Sequence, residues 1–263
     1  MAAPPPRGTT SEEINLLLFQ HAKLNAKIEV EDVRGHAAIA SGIQLRAELS
    51  IDGEAGDFLG AFNAGAVLRT RGDVASYTGY GMLSGAIVVL GSAGEATGAF
   101  QRGGEIIVFG DARSSLGWRM AGGLIAVKGD AGGRIGPGMG GGELAVLGTA
   151  EGPVGAGMRG GTIFVRQGTP VDPSAARAAA LDTLSVVRLR EIAARMKVTD
   201  LKPADFVRVT AASATPVRPA SPAPPKDEER PGPRVRVAEG TGASGPRISV
   251  ISPSTEPEGG QPR

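Results

Sequence analysis

The sequence predicts an all-β solenoid, a parallel β-helix of about seven coils of nineteen residues each, and three observations carry that reading. A leading glycine falls at Gly53, Gly72, Gly91, Gly110, Gly129 and Gly148, nineteen residues apart each time, and Gly168 begins a further unit one residue late. A second glycine follows seven places on in every unit: Gly60, Gly79, Gly98, Gly117, Gly136 and Gly155. Each unit then ends in a short β-branched run with period-two alternation, the mark of a strand. A fixed short period without insertions belongs to stacked coils, each unable to bury its apolar face until a neighbour covers it.

Residues 1–25 read as an N-terminal arm and one short helix. The first nine are proline-rich and read as frayed. Thr10 and Glu13 have the spacing of a capping box, after which Ile14, Leu17, Leu18 and His21 recur at helical spacing. The pattern changes to strand alternation at Ala26, Ile28 and Val30, so the solenoid is placed at residues 26–168. Gly35 and Gly42 already stand seven apart, and residues 26–52 read as a degenerate capping coil. His21 reads as a core neighbour and His36 as a turn residue, because no acid, nucleophile or second ligand keeps a fixed spacing from either.

Within the repeat, numbered from its leading glycine, the +2 position holds Ala55, Val74, Ala93, Ala112, Ala131 and Ala150, small enough for the inside of a narrow coil. The +7 glycines and a third corner at +12 and +13, such as Gly103–Gly104 and Gly141–Gly142, give each coil three bends. The strand after the third corner carries Leu68, Ile87, Ile106, Ile125, Leu144 and Ile163 at +15, then Thr70, Val89, Val108, Val127, Val146 and Val165 at +17. These share one strand face and point inward, stacking like on like. Met82, Met120, Met139 and Met158 stand at +10, with Phe62 and Phe100 one place earlier in two coils that lack the methionine. Core filling at a bend is the expectation for this set, against a methionine-rich binding face.

Outward positions break the repeat, and specificity on a regular scaffold belongs there. Val88, Leu90, Ile107 and Phe109 form an apolar patch on the second and third coils. Such a patch is either a docking surface or the seat of a helix from the same chain. Tyr80 and Trp118, near the glycine corners, are candidate anchors for a partner.

Residues 169–212 read as a helical cap for the open end of the stack, since an uncovered final coil is a sticky edge. Pro173 and Ser174 precede an alanine-rich helical stretch. Asp182 caps a second helix with Val186, Leu189, Ala193 and Met196 on one stripe, and Lys202, Pro203 and Phe206 form a closing turn. Residues 213–263, rich in Pro, Ser, Gly and charge, read as a disordered tail in which Val235–Val237 and Ile248–Ile251 are the apolar runs.

Composition narrows the chemistry. A net charge of +1 leaves no electrostatic footprint for nucleic acid or a membrane surface. With no cysteine and two histidines, the chain offers no disulfide framework, iron–sulfur cluster or zinc site, so a redox centre would sit on a partner. The start MAAPPPRGTT lacks a signal-peptide apolar region and no run of eighteen apolar residues occurs, which makes a soluble cytoplasmic protein the expectation. Glycine pairs such as Gly79–Gly81 and Gly136–Gly138 imitate a phosphate-binding loop, yet they recur in successive coils and lead into strands rather than a helix. No Ser–His–Asp set can be assembled, and no catalytic, cofactor-binding or metal-binding residue is assigned.

The repeat, written GEAGDFLGAFNAG, GDVASYTGYGMLSG and GDAGGRIGPGMGGG in three of its coils, resembles the GXGXG family over residues 26–168. That family includes the C-terminal domain of the glutamate synthase large subunit, its free-standing relatives, and the solenoid-forming scaffold chain of formylmethanofuran dehydrogenase. The resemblance implies a right-handed β-helix without catalytic residues, acting as a structural element between active centres on other domains or subunits. The N-terminal helix and the segment after the last coil look more like the free-standing glutamate-synthase-type proteins. The expected role is a non-catalytic subunit of a glutamate synthase-like complex. Amidotransferase-like and FMN-binding chains would be its partners, and would hold any flavin or iron–sulfur cluster. The alternatives are the scaffold subunit of a formylmethanofuran dehydrogenase-type complex, and a stand-alone interaction module.

Overall fold

The structure, a computed structural model, describes residues 10–22, 27–212 and 247–251. The expectations for residues 1–9, 23–26, 213–246 and 252–263, and for the side chains of Leu17 and His21, lie outside the described residues.

Helix α1 (Ser11–Ala22) opens with the capping box read from the sequence: Glu13 N–H donates to the Thr10 hydroxyl at 3.2 Å, and Thr10 N–H donates to Glu13 Oε2 at 2.8 Å. Ile14 and Leu18 bury fully against the first coil. Asn15 fixes the docking, donating to the Ala38 carbonyl and accepting from Ala40 N–H, both at 2.8 Å.

Eight strands then climb the solenoid: β1 (Lys27–His36), β2 (Glu48–Ala55), β3 (Ala64–Thr70), β4 (Ser84–Val89), β5 (Glu105–Val108), β6 (Leu124–Val127), β7 (Glu143–Val146) and β8 (Thr162–Arg166). Neighbours pair in parallel, and from β4 onward the register is one coil per step, Ile87 opposite Ile106 opposite Ile125 opposite Leu144 opposite Ile163. A second, one-residue ladder links Ala55, Val74, Ala93, Ala112, Ala131 and Ala150 around the coil. Every +15 and +17 residue is buried, as are the four methionines. His36 ends β1 immediately before a turn.

The recurring glycines answer to two different constraints. At +7, Gly60 has φ +60° and an added Cβ would stand 2.8 Å from Ile87 Cδ1 of the next coil, so both backbone and core exclude a side chain. The leading Gly110 has no positive φ; its excluded Cβ would meet Ser92 Oγ at 2.6 Å and the Gly91 carbonyl at 2.7 Å, because the preceding coil lies against it.

Two corrections concern the core lining. Phe62 and Phe100 do not replace the missing methionines; Asn63 and Gln101, at +10 itself, are the fully buried residues. Asn63 closes a reciprocal pair with Ala66, donating to its carbonyl at 2.8 Å and accepting its N–H at 2.9 Å, while the Gln101 amide donates to the Gly104 carbonyl at 3.0 Å. Backbone groups meet both ends of the Asn63 amide but only the amino end of Gln101, whose buried Oε1 has no hydrogen-bond partner. The phenylalanines turn outward.

Two more concern the C-terminal segment. The alanine-rich stretch is strand β9 (Ala176–Ala180), not a helix, and β10 (Phe206–Ala211) inserts between β8 and β9, antiparallel to both. Ladder bonds from β10 outweigh alanine's helical preference, and strands rather than helices therefore close the stack. A 3₁₀ turn at Pro203–Asp205 leads into β10. At the other end β11 (Arg247–Ile251) pairs antiparallel with β1, Lys27 opposite Ile251 and Glu31 opposite Arg247. The expectation of a wholly disordered tail fails at this segment, whose Ile–Ser–Val alternation suits a strand and whose pairing satisfies the β1 edge. The sheet order is β11-β1-β2-β3-β4-β5-β6-β7-β8-β10-β9.

Helix α2 (Thr183–Arg195) lies across the outside of the sheet. Asp182 caps it by accepting Ser185 N–H at 2.8 Å, as its sequence predicts. Leu189, Ile192, Ala193 and Met196 bury onto Ile107, Leu124, Ala126, Ala145, Leu147 and Phe164, making a second core outside the solenoid. Arg188 reaches Glu143 at 2.6 Å and Arg195 reaches Glu105 at 2.5 Å. Seven helical residues rise about 10.5 Å, close to the roughly 9.6 Å of two coil spacings, so the helix follows the solenoid axis.

Candidate interaction surfaces

Three surfaces of the coil stack bear on function. The first is the outer sheet face. Val88 pairs with Ile107, Ile107 with Ala126, and so on to Phe164, a row of outward side chains one per coil. Helix α2 covers this row from β5 to β8, leaving Ile107 at 8% exposure and Phe109 half-buried beneath Lys128, whose Nζ stands 5.9 Å from the ring centre. Val88 is half-buried, and Leu90 remains 53% exposed beyond the helix. The four patch residues are thus divided. Ile107 and Phe109 belong to the seat of α2, and Val88 and Leu90 lie at its margin.

The second surface is a shallow groove of about 970 Å³ along the one-residue ladder, lined among others by Glu54, Asp57, Asp73, Glu95, Asp111 and Arg113. Its aspartates, and Asp130 one coil beyond it, are committed to the backbone of the next coil. Asp57 accepts Ser76 N–H at 2.9 Å, Asp73 accepts Ser92 N–H at 2.7 Å, Asp111 accepts Asp130 N–H at 2.8 Å, and Asp130 accepts Thr149 N–H at 2.7 Å. The Thr149 N–H and then its hydroxyl hold the Asp130 carboxyl below the usual aspartate range. Among the described residues, no group of three or more His, Asp or Glu side chains is arranged to hold a metal ion.

The third surface is a ridge of aromatic side chains on the turns of the first four coils. Phe58 stacks on Tyr77 with centroids 4.9 Å apart and planes 8° from parallel. Tyr80 then meets Phe62 and Phe100, each at 5.4 Å, and Phe100 meets Trp118 at 5.0 Å. Arg119 sits over the Phe100 ring at 5.4 Å. The ridge is open to solvent: Phe58 and Trp118 are each 39% exposed and Phe62 is 52% exposed. Tyr80 and Trp118, the two anchors expected from sequence, are joined here through Phe100, whereas Phe58 and Tyr77 were not singled out and Phe62 was expected to fill the core. Their signal lay in the period. Phe58 and Tyr77 share +5, and Phe62 and Phe100 share +9, so each pair falls on one line down the stack.

These rings stand on unusual backbone. Phe58, Phe62, Tyr77 and Phe100 have φ of +61°, +56°, +61° and +57°. The +9 position is left-handed in all six coils; glycine fills it at Gly81, Gly138 and Gly157, where Phe62, Phe100 and Arg119 hold it elsewhere. A left-handed non-glycine residue costs roughly 1–2 kcal/mol.

Among the described residues, no helix is long and apolar enough to cross a membrane. No curated protein matches the sequence. Among solved structures, a chain of the formyltransferase/hydrolase complex (FhcABCD) from Methylorubrum extorquens, solved in complex with methylofuran, superposes with a TM-score of 0.53 at 24% identity. The match covers 60% of this chain and 62% of that one, which shows a shared fold over less than two thirds of either. The family model described as GXGXG motif matches residues 35–210, through the coils and on past α2 into β10, and the chain belongs to that family.

Proposed function

We propose that this chain is a non-catalytic scaffold subunit of a multi-subunit complex of the formyltransferase/hydrolase type. The observation that carries the reading is how the solenoid uses its polar groups. The groove aspartates Asp57, Asp73 and Asp111, and Asp130 one coil beyond them, accept backbone N–H groups of the adjoining coil, while a continuous ridge of exposed aromatic rings is suited to contact. The fold shared with a chain of FhcABCD supports the choice of complex. In that arrangement companion subunits hold the reacting groups and this chain keeps them in fixed relation.

A glutamate synthase-like complex is the second reading. It is favoured by α1 docked through Asn15 ahead of the first coil, the feature that resembles free-standing glutamate-synthase-type members. Flavin and iron–sulfur clusters would then sit on partner chains.

Affinity purification of the tagged full-length chain from its native cell, with identification of stoichiometric companions, separates the two. Formyltransferase and hydrolase chains are expected. Amidotransferase-like and FMN-binding chains would establish the second reading instead, and a chain recovered alone would overturn both.

A further inference from the structure

We infer that the aromatic ridge is the docking surface for a proline-rich segment of this same chain, residues 216–225. Three observations converge on it, and none depends on which complex the chain joins.

Stability alone does not account for the ridge. Phe62, with φ +56° and 52% exposure, buries little in return for its backbone strain, and glycine serves the same position in three other coils. The same turn positions are left-handed where they hold Ala96, Ser115, Arg119 and Arg134, so what sets the ridge apart is exposed rings at positions that small or polar residues serve elsewhere, and such a surface marks a contact. Phe58, Tyr77, Phe62, Tyr80, Phe100 and Trp118 run without a break over four successive coils, so the occupant is elongated and lies along the stack.

The chain contains a segment of matching chemistry. Pro216, Pro219, Pro222 and Pro225 recur every three residues. Three residues are one turn of a polyproline II helix, so in that conformation the four prolines would share one edge about 28 Å long. That edge is longer than the roughly 14 Å of three coil spacings that the ridge spans, so that about two of them would seat on the rings at once. Flat aromatic surfaces are the usual receptors for such edges, since the preformed helix loses little entropy on docking.

Connectivity brings the two together. The described chain leaves β10 at Ala212, where its N–H bonds to the Ala175 carbonyl, at the β8 end of the sheet. It is next described at Arg247, where β11 pairs with β1 at the opposite end. Nine strand spacings separate β10 from β11 in the sheet order, about 43 Å at 4.8 Å each. Ala212 and Arg247, the two ends that this segment joins, therefore lie near opposite ends of the stack. Ala212 follows Thr210, which pairs with Thr162 at the start of β8, two coils beyond Trp118 along the stack. A segment tethered this way meets the ridge at an effective concentration on the order of millimolar, ahead of any free partner.

Trp118 is the single tryptophan of the chain, so it reports on the ridge directly. Acrylamide quenching and the emission maximum of the full-length protein are to be compared with those of a full-length variant carrying Pro216→Ser, Pro219→Ser, Pro222→Ser and Pro225→Ser, with circular dichroism as the check on folding. The variant keeps β11 and every described residue. The expected result is loss of shielding and a red shift in the variant, with shielding in the parent independent of protein concentration. A synthetic peptide of residues 216–225 added to the variant is expected to restore the shielding. Equal quenching in parent and variant, or failure of the peptide to restore shielding, overturns the proposal. Shielding that grows with concentration and survives the four substitutions assigns the ridge to a second copy, which overturns it equally.

Discussion

At the residue scale the coil stack separates positions that hold the fold from positions that do not. Gly98 has φ +68°, and a Cβ there would drive into Ile125 Cδ1 of the next coil. Gly98→Ala is expected to cost about 2–4 kcal/mol through overpacking and left-handed strain together, read as a lowered urea midpoint at unchanged slope. Ile125→Ala, from a fully buried site, is expected to cost about 2–5 kcal/mol. Phe62→Gly behaves differently, because relief of backbone strain offsets the lost ring contacts; the change is expected to stay within about 1 kcal/mol of neutral. A Phe62→Gly cost as large as that of Ile125→Ala would place the ring in the core. The inward ladders were legible because a nineteen-residue period leaves one reading of +15 and +17. Phe62 and Phe100 were misread because a ring at +9 looks like a methionine displaced by one place, and hydropathy cannot announce that Asn63 and Gln101 are buried by backbone hydrogen bonds.

At the element scale α2 is a cover with a small set of attachments. It is held by Leu189, Ile192 and Met196 in the outer core, by Arg188 and Arg195 on two glutamates, and by the Asp182 cap. The Glu143 carboxylate beside Arg188 pushes that guanidinium's pKa up. Leu189→Asp is expected to release the helix while the coils stay folded, read as fast hydrogen exchange in α2 alone together with new dye binding on the exposed sheet face. Acid acts on the same element. The Ser185 N–H, then its hydroxyl and the Arg208 charge, hold the Asp182 carboxyl below its usual range. A carboxyl whose folded pKa is depressed stabilises the fold above its unfolded value, and the contribution disappears as pH falls through the folded value. Weaker α2 protection is therefore expected as pH falls below about 4, and Asp182→Asn is expected to reduce that dependence. The helix was legible from its cap and stripe. Strand β9 was not, since an alanine-rich run carries no local sign of the β10 edge waiting for it.

At the scale of the whole molecule both ends of a parallel ladder are closed by antiparallel strands, β11 on β1 and the β10–β9 pair on β8. An open parallel edge would template further pairing. Ending the chain after residue 246 is expected to produce association that grows with concentration in light scattering, where the full-length chain stays at constant mass. These closures were not legible because each joins segments far apart in sequence; β1 and β11 lie some two hundred residues from one another. The period could reveal the coils and leave their ends open.

The proposed role is that of a solenoid that assembles chemistry performed by companion chains. Reconstitution tests it most directly: the companion chains identified by purification are assayed for formyl transfer with and without this chain, and this chain is assayed alone. The account predicts no turnover by this chain alone, and loss of both assembly and coupled turnover when it is left out. Turnover by the isolated chain, or companions that assemble and react at full rate without it, would contradict the account.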